Sequence, residues 1–355
     1  MTPRSSRPTM KDVARIAGVS PKTVSNVITG TVTVRSGTRA RVERAMQELD
    51  FVPNLNARGL RNGRSGMIGV ALPDLGTDFS ASISHALLEA AHRRGLAVQV
   101  EETAAEPQRE YDLVSRARTH LVDGLVLNPV RLDDSVVGRM EHLPPIVLIG
   151  EVEQHRTDRV FVNSRAATRT VTSHLIAQGA RRIVALGSMS NDAGADTATV
   201  DQRLRGYLDA LEAAGLPASQ ELQAPVPQWT IEGGAAGASL LLERGTQFDA
   251  VVAFTDTLAV GVLHALREAG IRVPEDVLVT GFDDVEHARF SSPPLTTVHF
   301  SHQEYAEAAL DLLTSRIEDR TLPPRAVEIP HSLAVRESSG AAPVRGASDA
   351  RGARK

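Results

Sequence analysis

The stretch TMKDVARIAGVSPKTVSNVITG, residues 9–30, decides how the start of this chain folds, and it holds Lys11 and Lys22, two of the chain's three lysines. Thr9 stands where it can cap a helix, with Asp12 three residues on in a capping-box position near the positive end of the helix dipole. Val13, Ala14 and Ala17 form a narrow apolar face, and Gly18 ends the helix where a left-handed backbone is cheap. Ser20 then caps a second helix whose first residue, Pro21, needs no N–H partner. Val24, Val27 and Ile28 are its inner face, and Gly30 closes it. Two short helices joined by a glycine-containing turn make a helix-turn-helix. Its second helix exposes Lys22, Thr23 and Asn26 in the half that enters a major groove. There a lysine can donate to guanine and an asparagine can pair with adenine.

Apolar residues at Val42, Ala45, Met46 and Leu49 predict a third helix over about 36–50, completing a small all-α domain over 1–52. The next segment, FVPNLNARGLRNGRSG (51–66), mixes Pro53 and three glycines with Arg58, Arg61 and Arg64. It is expected to be a linker, over 53–66, that gains a helical turn or two on a polyanion. Leu60, apolar among arginines, suits a wedge that unstacks a base step from the minor groove. Residues 1–66 carry 12 basic and four acidic side chains, a net of +8, whereas the remainder of the chain is at −12. A basic head on an acidic body points to a polyanionic partner for the head alone.

From Met67 the rhythm changes. The runs MIGVAL, LAVQV, GLVLN and PIVLIG read as buried strands, with a helix over 80–93 between the first two. The pattern repeats with RIVALG, FDAVVAF and DVLVTGF and with helices over 166–177, 203–214, 233–243 and 258–269. Strands alternating with helices imply parallel sheets covered on both faces, in two Rossmann-like halves. Ligands of such sheets bind beyond the carboxyl ends of the strands. Asn128, Thr255, Asp256 and Asp283 stand at such ends, Arg203 opens a helix, and Trp229 is the only tryptophan. Carboxylate, amide and guanidinium groups can fork onto vicinal hydroxyls, and an indole face packs on the C–H face of a sugar.

MKDVARIAGVSPKTVSNVITG, then FVPNLNARGLRNGRSGMIGV, FTDTLAVGVLHALREAGIRVPEDVLVTGFDD and PPLTTV, together resemble the lactose-repressor (LacI/GalR) family of bacterial transcription regulators. The resemblance runs from residue 9 to about 337. It implies an N-terminal helix-turn-helix, a hinge helix, and a periplasmic-binding-protein-like α/β core of two subdomains. Those subdomains would be 67–163 plus 296–326 and 164–293 plus 327–337, followed by a disordered tail over 338–355. It implies DNA contacts from Thr9, Ser20, Pro21, Lys22, Thr23, Ser25, Asn26, Asn54 and Arg58, with Leu60 as the hinge wedge. It implies effector contacts from Phe79, Asn128, Arg203, Trp229, Thr255 and Asp283, and a supporting role for Asp256. The implied partners are double-stranded operator DNA, a small-molecule effector that is a sugar or sugar derivative, and a second copy of the chain. The sequence departs from the family at Gly150, Asn163, Ser164, Ala167 and Ser80, which bears on the identity of the effector.

The chain has no cysteine, hence no disulfide and no thiolate metal site. No G-x-x-x-x-G-K-[ST] phosphate loop and no G-x-S-x-G elbow occurs, so neither enzyme class is indicated. His299 and His302 read as surface residues beside a strand rather than metal ligands, and no cofactor is expected. Without an apolar leader or a long apolar run, the expected location is the bacterial cytoplasm, on the nucleoid when DNA-bound. A transport receptor, a sugar-acting enzyme with a DNA module, and an effector-blind architectural protein are the alternatives. The 9–30 segment argues against the first, turnover assays discriminate the second, and a ligand-induced thermal shift discriminates the third.

Overall fold

The computed structural model describes residues 8–29, 32–51, 64–104, 106–118, 121–129, 136–139, 142–152, 154–188 and 198–340. The chain divides into two compact units, the first ending at Ser65 and the second beginning at Gly66.

The first unit holds α1 (Met10–Ala17), α2 (Pro21–Thr29) and α3 (Ser36–Glu48). The capping box at α1 is formed in both directions. Thr9 Oγ1 accepts from the Asp12 N–H at 3.4 Å, and Asp12 Oδ2 accepts from the Thr9 N–H at 2.9 Å. Gly18 takes the left-handed conformation at φ 63°, and Ser20 Oγ accepts from the Thr23 N–H at 3.1 Å. Val13, Ala14, Ala17, Val24, Val27, Val42 and Ala45 are buried, and Ile28, Met46, Leu49 and Phe51 pack against them. The third helix stops at Glu48 rather than Asp50, which turns left-handed at φ 48°.

The second unit carries two six-stranded sheets. Along the chain come β1 (Met67–Leu72), α4 (Asp78–Arg93), β2 (Ala97–Glu102), α5 (Pro107–Arg118), β3 (Gly124–Leu127), α6 (Val136–Arg139), β4 (Ile146–Ile149) and β5 (Asp158–Val162). The second half begins with α7 (Ser164–Ala177), β6 (Ile183–Ser188), α8 (Ala198–Ala213), β7 (Gln223–Pro225), α9 (Ile231–Glu243), β8 (Ala250–Ala253) and α10 (Asp256–Glu268). It continues through β9 (Leu278–Phe282), α11 (Glu286–Phe290), β10 (Thr296–Phe300), α12 (His302–Glu318), β11 (Ala326–Ile329) and β12 (His331–Ala334). The first sheet has the order β11-β5-β4-β3-β1-β2 and is parallel throughout. The second has the order β12-β10-β9-β8-β6-β7, with β12 antiparallel at one edge. The central strands β3, β4, β6 and β8 are buried along their whole length, as parallel strands sandwiched between helices must be.

The chain crosses between the two lobes at 163, 301 and 330. This corrects the expected division at two points. β10 pairs with β9 in the second sheet, so 296–300 belongs to the second lobe and not the first. β11 pairs with β5, so 327–329 belongs to the first lobe. Thr296 and Thr297 in β10 are polar yet fully buried, and their hydroxyls bond to Arg336 O and Asp256 Oδ1. The expected tail boundary also moves. Ser338 is buried, its hydroxyl donating to Val279 O at 2.6 Å and accepting from the Thr296 N–H at 2.8 Å. Residues 338–340 are thus packed, and the rest of that segment, 341–355, lies outside the described residues.

Candidate functional site

In the first unit, Pro21 and Lys22 are exposed on α2, and Thr23, Ser25 and Asn26 are half-buried. Thr9, Ser20 and Thr23 use their hydroxyls in capping, which orients the start of each helix. Lys11, Arg15, Arg35, Arg41 and Arg44 are exposed as well. Asn54, Arg58 and Leu60 lie outside the described residues.

The second unit has a cavity of about 620 Å³ at the carboxyl ends of both sheets, within the range of small-molecule sites. All six residues expected to meet an effector, Phe79, Asn128, Arg203, Trp229, Thr255 and Asp283, line it. Asn128 follows β3, Thr255 follows β8 and Asp283 follows β9, so parallel strands deliver three of them to one face. Thr255 also caps α10, accepting from the Leu258 N–H at 3.2 Å.

Arg203 is the electrostatic centre of the cavity. It is 7% exposed, its guanidinium carbon lies 3.6 Å from the Phe282 ring centroid, and the Trp229 ring is 5.7 Å away. Its Nη1 donates to Phe254 O, while Nη2 stands 3.6 Å from Asp283 Oδ1. That last distance is an ion pair but not a tight hydrogen bond. Burial pulls the Arg203 guanidinium down from its usual range, opposed by Asp283, Glu151 and Asp256. Burial pushes Asp283 up to about 7 against the pull of Arg203, and Asp78 adds to the rise. Asp283 also sits at φ 108°, in left-handed space where a non-glycine residue is strained. The Trp229 indole donates to Gly187 O at 3.2 Å and meets Phe254 edge-on at 6.3 Å, leaving it fixed beside the cavity.

Asp256 is fully buried and supports the fold. Its carboxylate accepts from the Val285 N–H at 3.0 Å and from the Thr297 hydroxyl at 2.5 Å. Burial, then the charge of Asp283, raises its pKa well above the usual carboxylate range. The neighbouring Asp284 is a half-buried residue, and its side chain joins Arg336 and His299. His302 is not the surface residue expected. Its ring packs edge-on to Phe300 at 4.9 Å, and burial, with His299 beside it, holds its pKa down at about 4. Among the described residues no three His, Asp or Glu side chains gather to hold a metal.

Several lining residues carried no sequence signal of their own. Glu151 follows β4 and Asp74 stands just after β1, so strand ends alone point to both. Tyr305 on α12 reaches the cavity only because that helix returns to the first lobe. Its hydroxyl accepts from the Gly150 N–H at 2.8 Å and donates to Val160 O at 2.7 Å. Gly150 has φ 104°, and a Cβ there would stand 2.9 Å from Asn128 Oδ1. An aspartate at this position would therefore displace Asn128. Across the mouth, Asp78 at the start of α4 meets His287 at 3.1 Å and Thr257 at 3.4 Å, tying the lobes together.

A three-helix head with an exposed polar helix, joined in one chain to a two-sheet core with a cavity at the strand ends, defines a ligand-responsive DNA-binding protein. The model of bacterial regulatory proteins of the lacI family matches residues 9–54, and that of the periplasmic binding protein-like domain matches residues 172–339. The HTH-type transcriptional regulator GalR of Escherichia coli K12 is 32% identical over 317 residues, covering 89% of this chain and 91% of GalR. The HTH-type transcriptional repressor PurR of Aliivibrio fischeri MJ11 is 29% identical, covering 93% of this chain and 98% of PurR. The Lac repressor dimer bound to operator and the anti-inducer ONPF superposes with TM-score 0.81 at 26% identity, covering 95% of this chain and all of that one. The regulator CelR in complex with cellobiose superposes with TM-score 0.70 at 30% identity, covering 94% of this chain and all of that one. The chain belongs to the LacI family of transcriptional regulators, and it is a DNA-binding regulator rather than an enzyme.

Proposed function

We propose that this protein is a homodimeric repressor, acting in the bacterial cytoplasm, whose hold on a pseudo-palindromic operator is set by a small carbohydrate bound in the cavity. Two α2 helices, one per protomer, read the half-sites through Pro21, Lys22 and Asn26. Thr9, Ser20, Thr23, Ser25, Asn54 and Arg58 secure the backbone, and Leu60 wedges the minor groove. Phe79, Asn128, Arg203, Trp229, Thr255 and Asp283 hold the effector.

One observation carries the ligand reading. Arg203 and Asp283 face each other across 3.6 Å at the cavity floor, each buried and neither bonded tightly to the other. A hydroxyl donates and accepts at once, so it can satisfy both groups together. Trp229 adds an apolar face for the C–H side of a ring. The cellobiose bound by CelR is of the same chemical kind.

Ligand closure across the Asp78–His287–Thr257 contact would change the separation of the two linkers in a dimer. A coupling of ~1–3 kcal/mol, typical between such sites, changes operator affinity about 5–150-fold. The test is capture of genomic fragments by the purified full-length protein, followed by fluorescence anisotropy on the captured site with and without sugars. A duplex preference that shifts with a sugar supports the reading. No preference for any site over random DNA overturns it.

A further inference from the structure

The charges around the cavity are one-sided. Among its described lining residues there are four carboxylates, Asp74, Glu102, Glu151 and Asp283, and a single cation, Arg203, with no lysine or histidine. Asp74 and Glu102 stand exposed at the mouth, on the ends of the first-lobe strands, and hold the loop between them by accepting from the N–H groups of Gly76 at 2.7 Å and Leu75 at 2.9 Å. Those bonds hold both carboxylates in place at the mouth. Glu151 lies deeper, accepting from the Ser164 hydroxyl at 2.7 Å.

The lone cation is not open to an anion. Arg203 Nη1 is spent on Phe254 O, Nη2 faces Asp283, and Nε is shut off from solvent with no partner among the described residues. A phosphate or carboxylate needs a free guanidinium fork, and this one is divided between protein groups. The floor resists further negative charge as well. Burial raises Asp283, Glu151 and Asp256 despite Arg203 beside them.

We infer that the cavity takes an uncharged carbohydrate and rejects the phosphorylated and acidic forms of the same sugar. This rests on the effector reading above and narrows its ligand class. A phosphate ester brings about −1.5 to −2 charges at neutral pH. It would set them against Glu102 and Asp74 at the mouth or, inside, on a floor where burial already disfavours the charged forms of Glu151 and Asp283. A hydroxyl meets the same groups as a donor. The selection is therefore repulsive as much as attractive, which is how a site tells apart ligands that share a ring.

The experiment is calorimetric titration of the full-length dimer with matched sets. These are glucose, glucose 6-phosphate and glucuronate; galactose, galactose 1-phosphate and galacturonate; ribose and ribose 5-phosphate; cellobiose and cellobionate. Melting curves on the same samples serve as a second readout. Any sugar that binds should do so in its neutral form, with each anionic partner at least tenfold weaker. The penalty should shrink in a Glu102→Gln, Asp74→Asn variant, which keeps the loop-holding acceptors and removes two charges. An anionic form that binds as tightly as its neutral partner, or a penalty unmoved in the variant, overturns the inference while leaving the cavity an effector site. No response to any member, charged or neutral, overturns the carbohydrate reading itself.

Discussion

Replacing Asp283 by asparagine should make the protein more stable at alkaline pH while removing its response to ligand. In the unfolded chain this carboxyl ionises near 3.8, and in the folded protein burial raises it to about 7. Between those two values the folded state keeps a proton that the unfolded state has lost. The stability tied to this proton is complete below the lower value and declines as pH rises through the upper one. Each pKa unit is worth about 1.36 kcal/mol, so the whole window amounts to about 4 kcal/mol. Most of that window, about 3 kcal/mol, is lost between pH 5 and pH 8. Asparagine keeps the shape of the protonated carboxyl, never ionises, and meets the same backbone strain at φ 108° as the aspartate it replaces. The assay is urea unfolding of both proteins at pH 5 and pH 8, followed through the fluorescence of Trp229, the sole tryptophan. That indole shares the cavity with Asp283. Taking wild type minus variant cancels the histidines, including His302, that titrate in both. The wild type should lose about 3 kcal/mol more than Asp283→Asn between the two pH values. Equal losses would refute the account of a buried, loosely paired carboxylate.

Lys22→Ala and Asn26→Ala should each weaken operator binding by ~1–3 kcal/mol with unchanged circular dichroism, since neither residue belongs to the buried core of the first unit. Unchanged anisotropy titrations for both would remove α2 as the reading helix. Leu60→Ala should lower operator bending and specific affinity together, as seen by gel mobility of permuted sites, and a normal bend would exclude a wedge at that residue. Gly261→Ala would place a Cβ 2.1 Å from Ile231 O, where α10 crosses α9. Overpacking of this kind costs ~1–3 kcal/mol, so the urea midpoint should fall, and an unchanged midpoint would mean that the helices part easily.

Local signals were legible wherever the cause is local. The strands β1, β2, β3, β4, β6, β8 and β9 stand within a residue or two of the apolar runs that predict them. Helices expected from 80, 166, 233 and 258 begin two residues earlier, at Asp78, Ser164, Ile231 and Asp256. In each case a polar residue just before the helix, Thr77, Asn163, Thr230 or Thr255, accepts a backbone N–H from inside the first turn. Apolar periodicity starts only after that turn, which is why it places the start late. The strands β7, β11 and β12 escape notice because they are short and only partly buried, and β5 and β10 because Asp158, Arg159, Thr296, Thr297 and His299 break up their apolar runs.

By its sequence alone this chain determined a capped helix pair with exposed basic residues, and alternating strands and helices. Those features depend on neighbours within a few positions, through capping oxygens, side-chain period and the sign of nearby charge. Only the tertiary structure decided which lobe owns Thr296–Phe300 and Ala326–Ile329, because a strand joins a sheet through hydrogen bonds to a partner distant in the chain. It also decided the environment of the cavity. Arg203 and Asp283 are 80 positions apart, and their loose, buried pairing comes from strand β9 and helix α8 converging on one floor, where low dielectric sets the charge that a ligand must meet.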